Sequence, residues 1–265
     1  VAGRNLVVAT GTGSGKTDIA TMAVLKTIQD HFVWDEKKKC NMLNKSSFKV
    51  VYIAPMKALV NEIVQKFTKK LSTFGIVVRE YSGDMNLTRK EIETCNMIVS
   101  TPEKWDVVTR KGSTNDTLLT SKVCLLIIDE VHLLNDQRGP VIESIVTRTH
   151  HQVEISQRML RIVGLSATLP NYIDVAMFLG VNPERGMFYF DDSFRPVPLQ
   201  QSLVGVKGKK RVQEEEQMNN YVFTVLQENW YKQYQVLLFV HSRNDTVKCA
   251  KTIIQNLQDN NQHNL

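Results

Sequence analysis

Unbroken apolar runs recur along this chain, each followed by a stretch whose apolar residues return every three or four positions. The runs at 6–9, 49–54, 76–81, 97–100, 123–128 and 160–165 predict strands, and 123–128 (Val-Cys-Leu-Leu-Ile-Ile) is the most apolar of them. Helical spacing appears in Ile19, Ala20, Ala23, Val24 and Ile28, through about Gln29, and in Leu59, Ile63, Phe67 and Leu71, with Gly75 as a C-terminal stop. Further helices are expected over 87–93, 103–110, 141–150 and 172–179. The strands show no apolar–polar alternation, so both of their faces are buried. Strands of that kind alternating with helices imply an α/β fold with a mostly parallel sheet covered on both sides. Right-handed crossovers then bring the segment after every strand to one edge, where ligands of such sheets bind. Residues 30–47 lose periodicity and carry Asp35-Glu36-Lys37-Lys38-Lys39, which reads as a solvated loop, and the polar stretch 111–121 reads as another.

The pattern changes near Asp191. Residues 194–199 hold Pro196 and Pro198 and must be extended, and 207–216 is a charged, exposed segment. A helix over 212–229, a strand over 236–240 and a helix over 245–257 follow, too few strands for a sheet of their own. The expected organisation is a first domain at 1–190, then a connection and the incomplete start of a second domain at 191–265.

Composition alters this picture little. The chain has 265 residues, 42% hydrophobic and 23% charged, as in ordinary globular domains. A net charge of +6 suits a polyanionic partner without identifying one. There is no apolar run long enough to span a membrane, so no membrane association is expected. Cys40, Cys95, Cys124 and Cys249 are too scattered for a disulfide framework and read as buried free thiols, while the six His show no zinc-ligand spacing. Glycosylation patterns at Asn44, Asn86, Asn115 and Asn244 carry no weight without a secretory leader. The first residue is not Met and lies just before a strand, which reads as a fragment.

The candidate chemistry sits at strand ends. After the run at 6–9 comes Thr10-Gly11-Thr12-Gly13-Ser14-Gly15-Lys16-Thr17, and a helix follows. Strand, glycine-rich turn, Lys-Thr and helix form a phosphate-binding P-loop, although Thr10 stands where the general pattern opens on Gly. Glycines let successive N–H groups point at an anion without a Cβ in the way, and the helix N-terminus adds positive potential. Lys16 would reach the β- and γ-phosphates of ATP and the Thr17 hydroxyl would hold Mg²⁺. At the end of 123–128 come Asp129 and Glu130. These carboxylates suit a second metal ligand and a residue that orients or deprotonates the attacking water.

Asp129-Glu130-Val131-His132 read with Ser166-Ala167-Thr168 resembles the DExH-box helicases of superfamily 2. Ala54 to Leu59 resembles motif Ia, Ser82-Gly83-Asp84 and Thr101 to Trp105 the Ib region, and 236–243 motif IV. Stretches 101–111, 129–143, 164–172 and 193–199 are similar to the Ski-like subfamily, nearest to the N-terminal cassette of its large tandem-cassette members. The resemblance implies a RecA-like P-loop domain followed by the beginning of a second RecA-like domain. It implies ATP hydrolysis with Mg²⁺, coupled to 3′-to-5′ movement on single-stranded or tailed duplex RNA or DNA. His132, Ser166 and Thr168 would link nucleotide state to the strand-binding face, and Pro55, Lys57, Gly83, Thr101 and Pro102 would meet the phosphodiester backbone. Partners would be the remainder of the helicase cassette and a multiprotein complex, in the nucleus with a cytoplasmic share.

Two departures qualify these implications. Gly11 replaces the family's usual Pro, which suggests a looser loop before nucleotide binds. The adenine-recognising glutamine segment and motifs V and VI, with arginines worth about three to five orders of magnitude in turnover, are expected outside these residues. The fragment alone is therefore expected to bind nucleotide weakly and not to unwind. The alternative is a non-catalytic ATP-binding or protein-docking cassette, against which the intact Lys16, Asp129 and Glu130 argue.

Overall fold

The computed structural model describes residues 4–83, 85, 87–111, 117 and 119–259. Asp84, Asn86, Asn115 and most of the polar stretch 111–121 therefore lie outside the description. The chain forms two compact units, the first ending at Leu199 and the second beginning at Gln200.

The first unit is built on a seven-stranded sheet. Its strands are β1 (Leu6–Ala9), β4 (Lys49–Ile53), β5 (Val78–Tyr81), β6 (Met97–Ser100), β7 (Val123–Ile128), β8 (Arg161–Ser166) and β9 (Met187–Tyr189), in the order β5-β6-β4-β7-β8-β1-β9. All neighbouring pairs are parallel. Alternate side chains of the buried strands serve opposite faces, as the strand period of two requires. Leu6, Val8, Val50 and Tyr52 pack with Val24 and Ile28 of α1 (Lys16–Asp30) and with Val60, Phe67 and Leu71 of α2 (Lys57–Leu71). Val7, Val51 and Ile53 face the other way. They meet Trp105 and Val108 of α4 (Pro102–Lys111) and Ile142, Ile145 and Val146 of α5 (Gly139–Ser156). Burying each such Val, Leu or Ile contributes about 1.5–3 kcal/mol, so central strands that are apolar on both faces drive the three-layer arrangement.

Helix ends follow local chemistry. Gly75 adopts φ +59° after a 3₁₀ turn and donates its N–H to the Ser72 carbonyl at 2.8 Å, closing the segment after α2 as expected. The short α3 (Arg89–Thr94) opens on a capping box between Thr88 and Glu91. Its C-terminal end is stapled by buried Lys49, whose ammonium donates to the carbonyls of Ile92 and Cys95; burial pushes that amine below the usual lysine range.

Several expectations are corrected. The supposed loop at 30–47 contains a hairpin, β2 (Phe32–Asp35) paired antiparallel with β3 (Cys40–Leu43). Its residues are mostly exposed on both faces, so the apolar periodicity that betrays a half-buried strand is missing. Cys40 is correspondingly exposed, unlike buried Cys95 and Cys249. The edge strand β9 has no counterpart in the apolar pattern, because three residues are too few to show one. Helix α5 is longer than 141–150, starting with Pro140 in its first turn and running through Ser156. In the second unit, α8 (Arg211–Tyr231) and α9 (Arg243–Asp259) form, with α6 (Tyr172–Phe178) and α7 (Pro183–Gly186) preceding them in the first. The strand expected at 236–240 is not one. A strand needs a ladder partner, none lies beside it among the described residues, and Leu237 and Phe239 remain exposed. No helix of the described residues is long and apolar enough to cross a membrane.

Candidate active site

Because the sheet is parallel, its order ranks the loops along the C-terminal edge. From one end these are Gly83 after β5, Thr101–Pro102 after β6, and Pro55–Lys57 after β4. Asp129–His132 after β7, Ser166–Thr168 after β8 and Thr10–Thr17 after β1 complete the row. The candidate nucleotide residues thus occupy one half of the edge and the candidate strand-binding residues the other.

Gly13 and Gly15 take φ +82° and +88°, the left-handed region that favours glycine, and nothing lies within 4 Å of where a Cβ would stand on Gly13. Gly15 caps α1 without any side-chain cap, leaving the helix start open to an anion. Lys16 Nζ donates to the carbonyls of Thr10 and Gly11, each at 3.2 Å, and the Ser14 hydroxyl to Gly11 at 2.7 Å. The ammonium is thereby held over the loop. The open cradle, uncapped helix start and poised lysine fit a triphosphate.

Asp129 is fixed from two sides. The Tyr52 hydroxyl donates to Oδ2 at 2.7 Å, and the Glu130 N–H to Oδ1 at 3.0 Å. Burial, then the charge of Asp129, drive the Tyr52 phenol far above its ordinary pKa, so it stays a donor. Glu130 sits at φ +53°, an uncommon backbone for a residue with a Cβ. Burial foremost, then Asp129, raises the Glu130 carboxyl above the usual range, with His132 and Lys16 pulling the other way. With Thr17 in the first turn of α1, the donor set is one hydroxyl and one carboxylate; Mg²⁺ commonly takes one or two protein carboxylates beside phosphate oxygens and water, so these residues fit it. Among the described residues no larger cluster of metal-binding side chains exists.

His132 Nδ1 lies 3.2 Å from Glu130 Oε2 and 3.2 Å from the Ala167 nitrogen, whose N–H it accepts. Contact between the two segments therefore passes through the Ala167 backbone, which the sequence could not nominate. Ser166 is fully buried and its hydroxyl finds no partner among the described residues, although its carbonyl accepts the Thr10 N–H at 3.0 Å. Thr168 is exposed.

On the other half of the edge, Pro55, Thr101 and Pro102 are buried, which leaves Lys57 and Gly83 as the exposed groups. The Lys57 ammonium sits over Gly83, which has φ +57°; a Cβ there would stand 2.9 Å from Nζ. Arg138, to which the sequence assigns no role, donates to the Pro55 carbonyl and lies 3.6 Å from Glu103. It ties the segment after Asp129–His132 to the loop after β4 and to the first turn of α4. Its signal would have been spatial, since 83 positions separate it from Pro55.

The glycine-rich loop after β1, the Asp-Glu pair after β7 and the contact from His132 to the loop after β8 thus lie along one sheet edge. The chain belongs to the DEAD/DEAH box helicase family, which residues 1–175 match. It is 52% identical over 262 residues to the RQC trigger complex helicase SLH1 of Saccharomyces cerevisiae, covering 98% of this chain and 13% of that protein. It is 51% identical over 255 residues to Activating signal cointegrator 1 complex subunit 3 of Homo sapiens, covering 95% and 11%. It is also 49% identical over 250 residues to the DExH-box ATP-dependent RNA helicase DExH14 of Arabidopsis thaliana, covering 94% and 11%. The chain thus spans roughly a tenth of these relatives' length, and the DExH resemblance read from its motifs holds. Among solved structures, the DUF1998 helicase MrfA bound to DNA and AMPPNP shares the fold, with a TM-score of 0.69 at 18% identity over 97% of this chain and 34% of that one.

Proposed function

We propose that this chain is the nucleotide-binding part of an ATP-dependent helicase that moves 3′-to-5′ along single-stranded or tailed duplex nucleic acid. The reading is carried by the division of one sheet edge into a phosphate-binding half and an exposed Lys57–Gly83 half joined by Asp129–His132. Lys16 and the backbone N–H groups of Thr12, Gly13, Ser14, Gly15 and Thr17 bind the triphosphate. Thr17 and Asp129 hold Mg²⁺, which when bound neutralises phosphate charge. Glu130 orients the attacking water and accepts its proton. His132 relays the state of Glu130 to the Ser166–Thr168 loop through Ala167. Lys57 and the backbone at Gly83 contact the strand, with Pro55, Thr101 and Pro102 shaping those loops from beneath. Residues 1–190 form the first RecA-like domain, and 191–265 the connection and start of a second. The protein works inside a larger complex, in the nucleus with a cytoplasmic share.

Lys16→Ala in the full-length protein is expected to weaken ATP binding at least about tenfold, since hydrogen bonds to charged groups contribute roughly 1.5–3 kcal/mol. Calorimetry showing undiminished affinity would remove the P-loop from the proposal. Single-strand affinity is expected to fall with salt at a log–log slope of about −0.7 per phosphate neutralised, with little dependence on base sequence. A flat titration, read by fluorescence anisotropy on RNA and DNA oligonucleotides, would favour the docking-cassette alternative.

A further inference from the structure

Arg195 stands in the exit segment of the first unit, far in sequence from any nucleotide motif, yet its side chain lies across the P-loop. A Cβ on Gly11 would stand 3.0 Å from its Cγ, 3.6 Å from its Cδ and 3.7 Å from its Nη1. This placement is built by a continuous set of contacts. Strand β9 pairs with β1 in the register Ala9↔Tyr189, and the Phe190 N–H then donates to the Ala9 carbonyl at 2.9 Å. Asp191 accepts the Ser193 N–H at 3.0 Å, starting a 3₁₀ turn at Asp192–Phe194, and the Phe194 ring meets Phe190 edge-on at 5.1 Å. The Arg195 N–H closes the turn on the Asp192 carbonyl at 3.1 Å. The chain is thus turned back beside the loop that β1 leads into.

The charges around Arg195 do not balance. Its side chain is only 21% exposed, and its acidic neighbour Asp192 is 3.9 Å away and itself 82% exposed. Its Nε is buried with no partner among the described residues. Lys16 Nζ rests on the carbonyl of the same Gly11, so two cations converge on one residue of the loop. A half-buried guanidinium lacking a close acceptor is costly, and a second cation beside it adds repulsion. Both costs are relieved by a polyanion, and a guanidinium matches phosphate oxygens with paired N–H donors. Its position at the β1–β9 end of the sheet lies away from Lys57 and Gly83, the groups proposed for the nucleic-acid backbone.

We infer that Arg195 is a phosphate-binding residue of the nucleotide site, pairing with the phosphate chain of a nucleoside di- or triphosphate seated on Thr10–Thr17. The inference rests on the proposed nucleotide site and adds to it a ligand from the exit segment, four residues before the first unit ends at Leu199.

The test compares wild type, Arg195→Met and Arg195→Lys in the full-length protein. ATP and ADP affinities are measured by calorimetry, and adenosine by ligand-observed NMR. Met keeps the aliphatic contact with Gly11 and deletes the charge. The expected result is a roughly 10–100-fold loss of ATP and ADP affinity in Arg195→Met, unchanged adenosine affinity, and partial recovery in Arg195→Lys. ATP and ADP binding by Arg195→Met within twofold of wild type overturns the inference, and so does an equal loss for adenosine. Should Arg195→Met not fold, Arg195→Gln takes its place under the same criteria. Wild type that binds no ATP sinks the nucleotide site and this inference together, whereas wild-type binding that Lys16→Ala abolishes and Arg195→Met leaves intact sinks this inference alone.

Discussion

Replacing Glu130 by Gln in the full-length protein is expected to leave ATP binding within a few-fold of wild type and to lower turnover by about 10²–10⁴-fold. The two side chains are nearly isosteric, so the φ +53° backbone and the contact with His132 persist while the ability to take a proton is lost. The environment supports that role, because a carboxyl raised by burial and by Asp129 moves toward neutral pH, where a base works best. The same shift has a stability consequence. A carboxyl whose folded pKa lies above its unfolded value is destabilising once ionised, so at neutral pH wild type carries a cost that Gln removes. Glu130→Gln is therefore expected to melt at the same temperature as wild type or higher. Single-turnover hydrolysis and scanning calorimetry check the two halves, and unchanged turnover would take Glu130 out of the mechanism.

Asp106→Ala is expected to have the largest effect on folding. Asp106 of α4 is 8% exposed; one carboxylate oxygen pairs with Arg110 of the same helix and the other with Arg148 of α5. Arg148 also donates to the Thr109 hydroxyl at 3.1 Å. Removing the carboxylate strands Arg148, which is only about one-third exposed. Breaking a buried pair typically costs 3–5 kcal/mol. The exposure of Arg148 and the greater exposure of Arg110 reduce this to about 2–3 kcal/mol, or roughly 5–10 °C in Tm. Changing both partners, Asp106→Leu with Arg148→Met, is expected to recover most of the loss, because no buried charge is left unpaired. A single variant that melts with wild type would show that the network contributes little.

The central architecture was readable because continuous apolar runs have one physical solution, burial on both faces. The P-loop and Asp129-Glu130 were readable because their chemistry needs particular residues at fixed local spacing. What escaped was set by partners distant in sequence. Tyr52 looks like another core residue of β4 until Asp129 is placed beside it, 77 positions later. Arg138, Ala167 and Arg195 act through contacts that no local pattern records. Segment 236–240 shows the converse, an apolar run with the composition of a strand and no neighbour to make it one.

The pairing of β1 bears on how the chain is made. The strand that carries the P-loop takes its hydrogen bonds from β8 at residues 161–166 and from β9 at 187–189. Neither partner exists while β1 is leaving the ribosome. At 5–20 residues per second, both edges of Leu6–Ala9 await completion for on the order of 10–40 s. During vectorial synthesis the nucleotide loop thus emerges before the strands that flank β1 in the first unit. A nascent chain halted before residue 187 would expose one open edge of β1, a surface suited to chaperones or to misassembly with another chain.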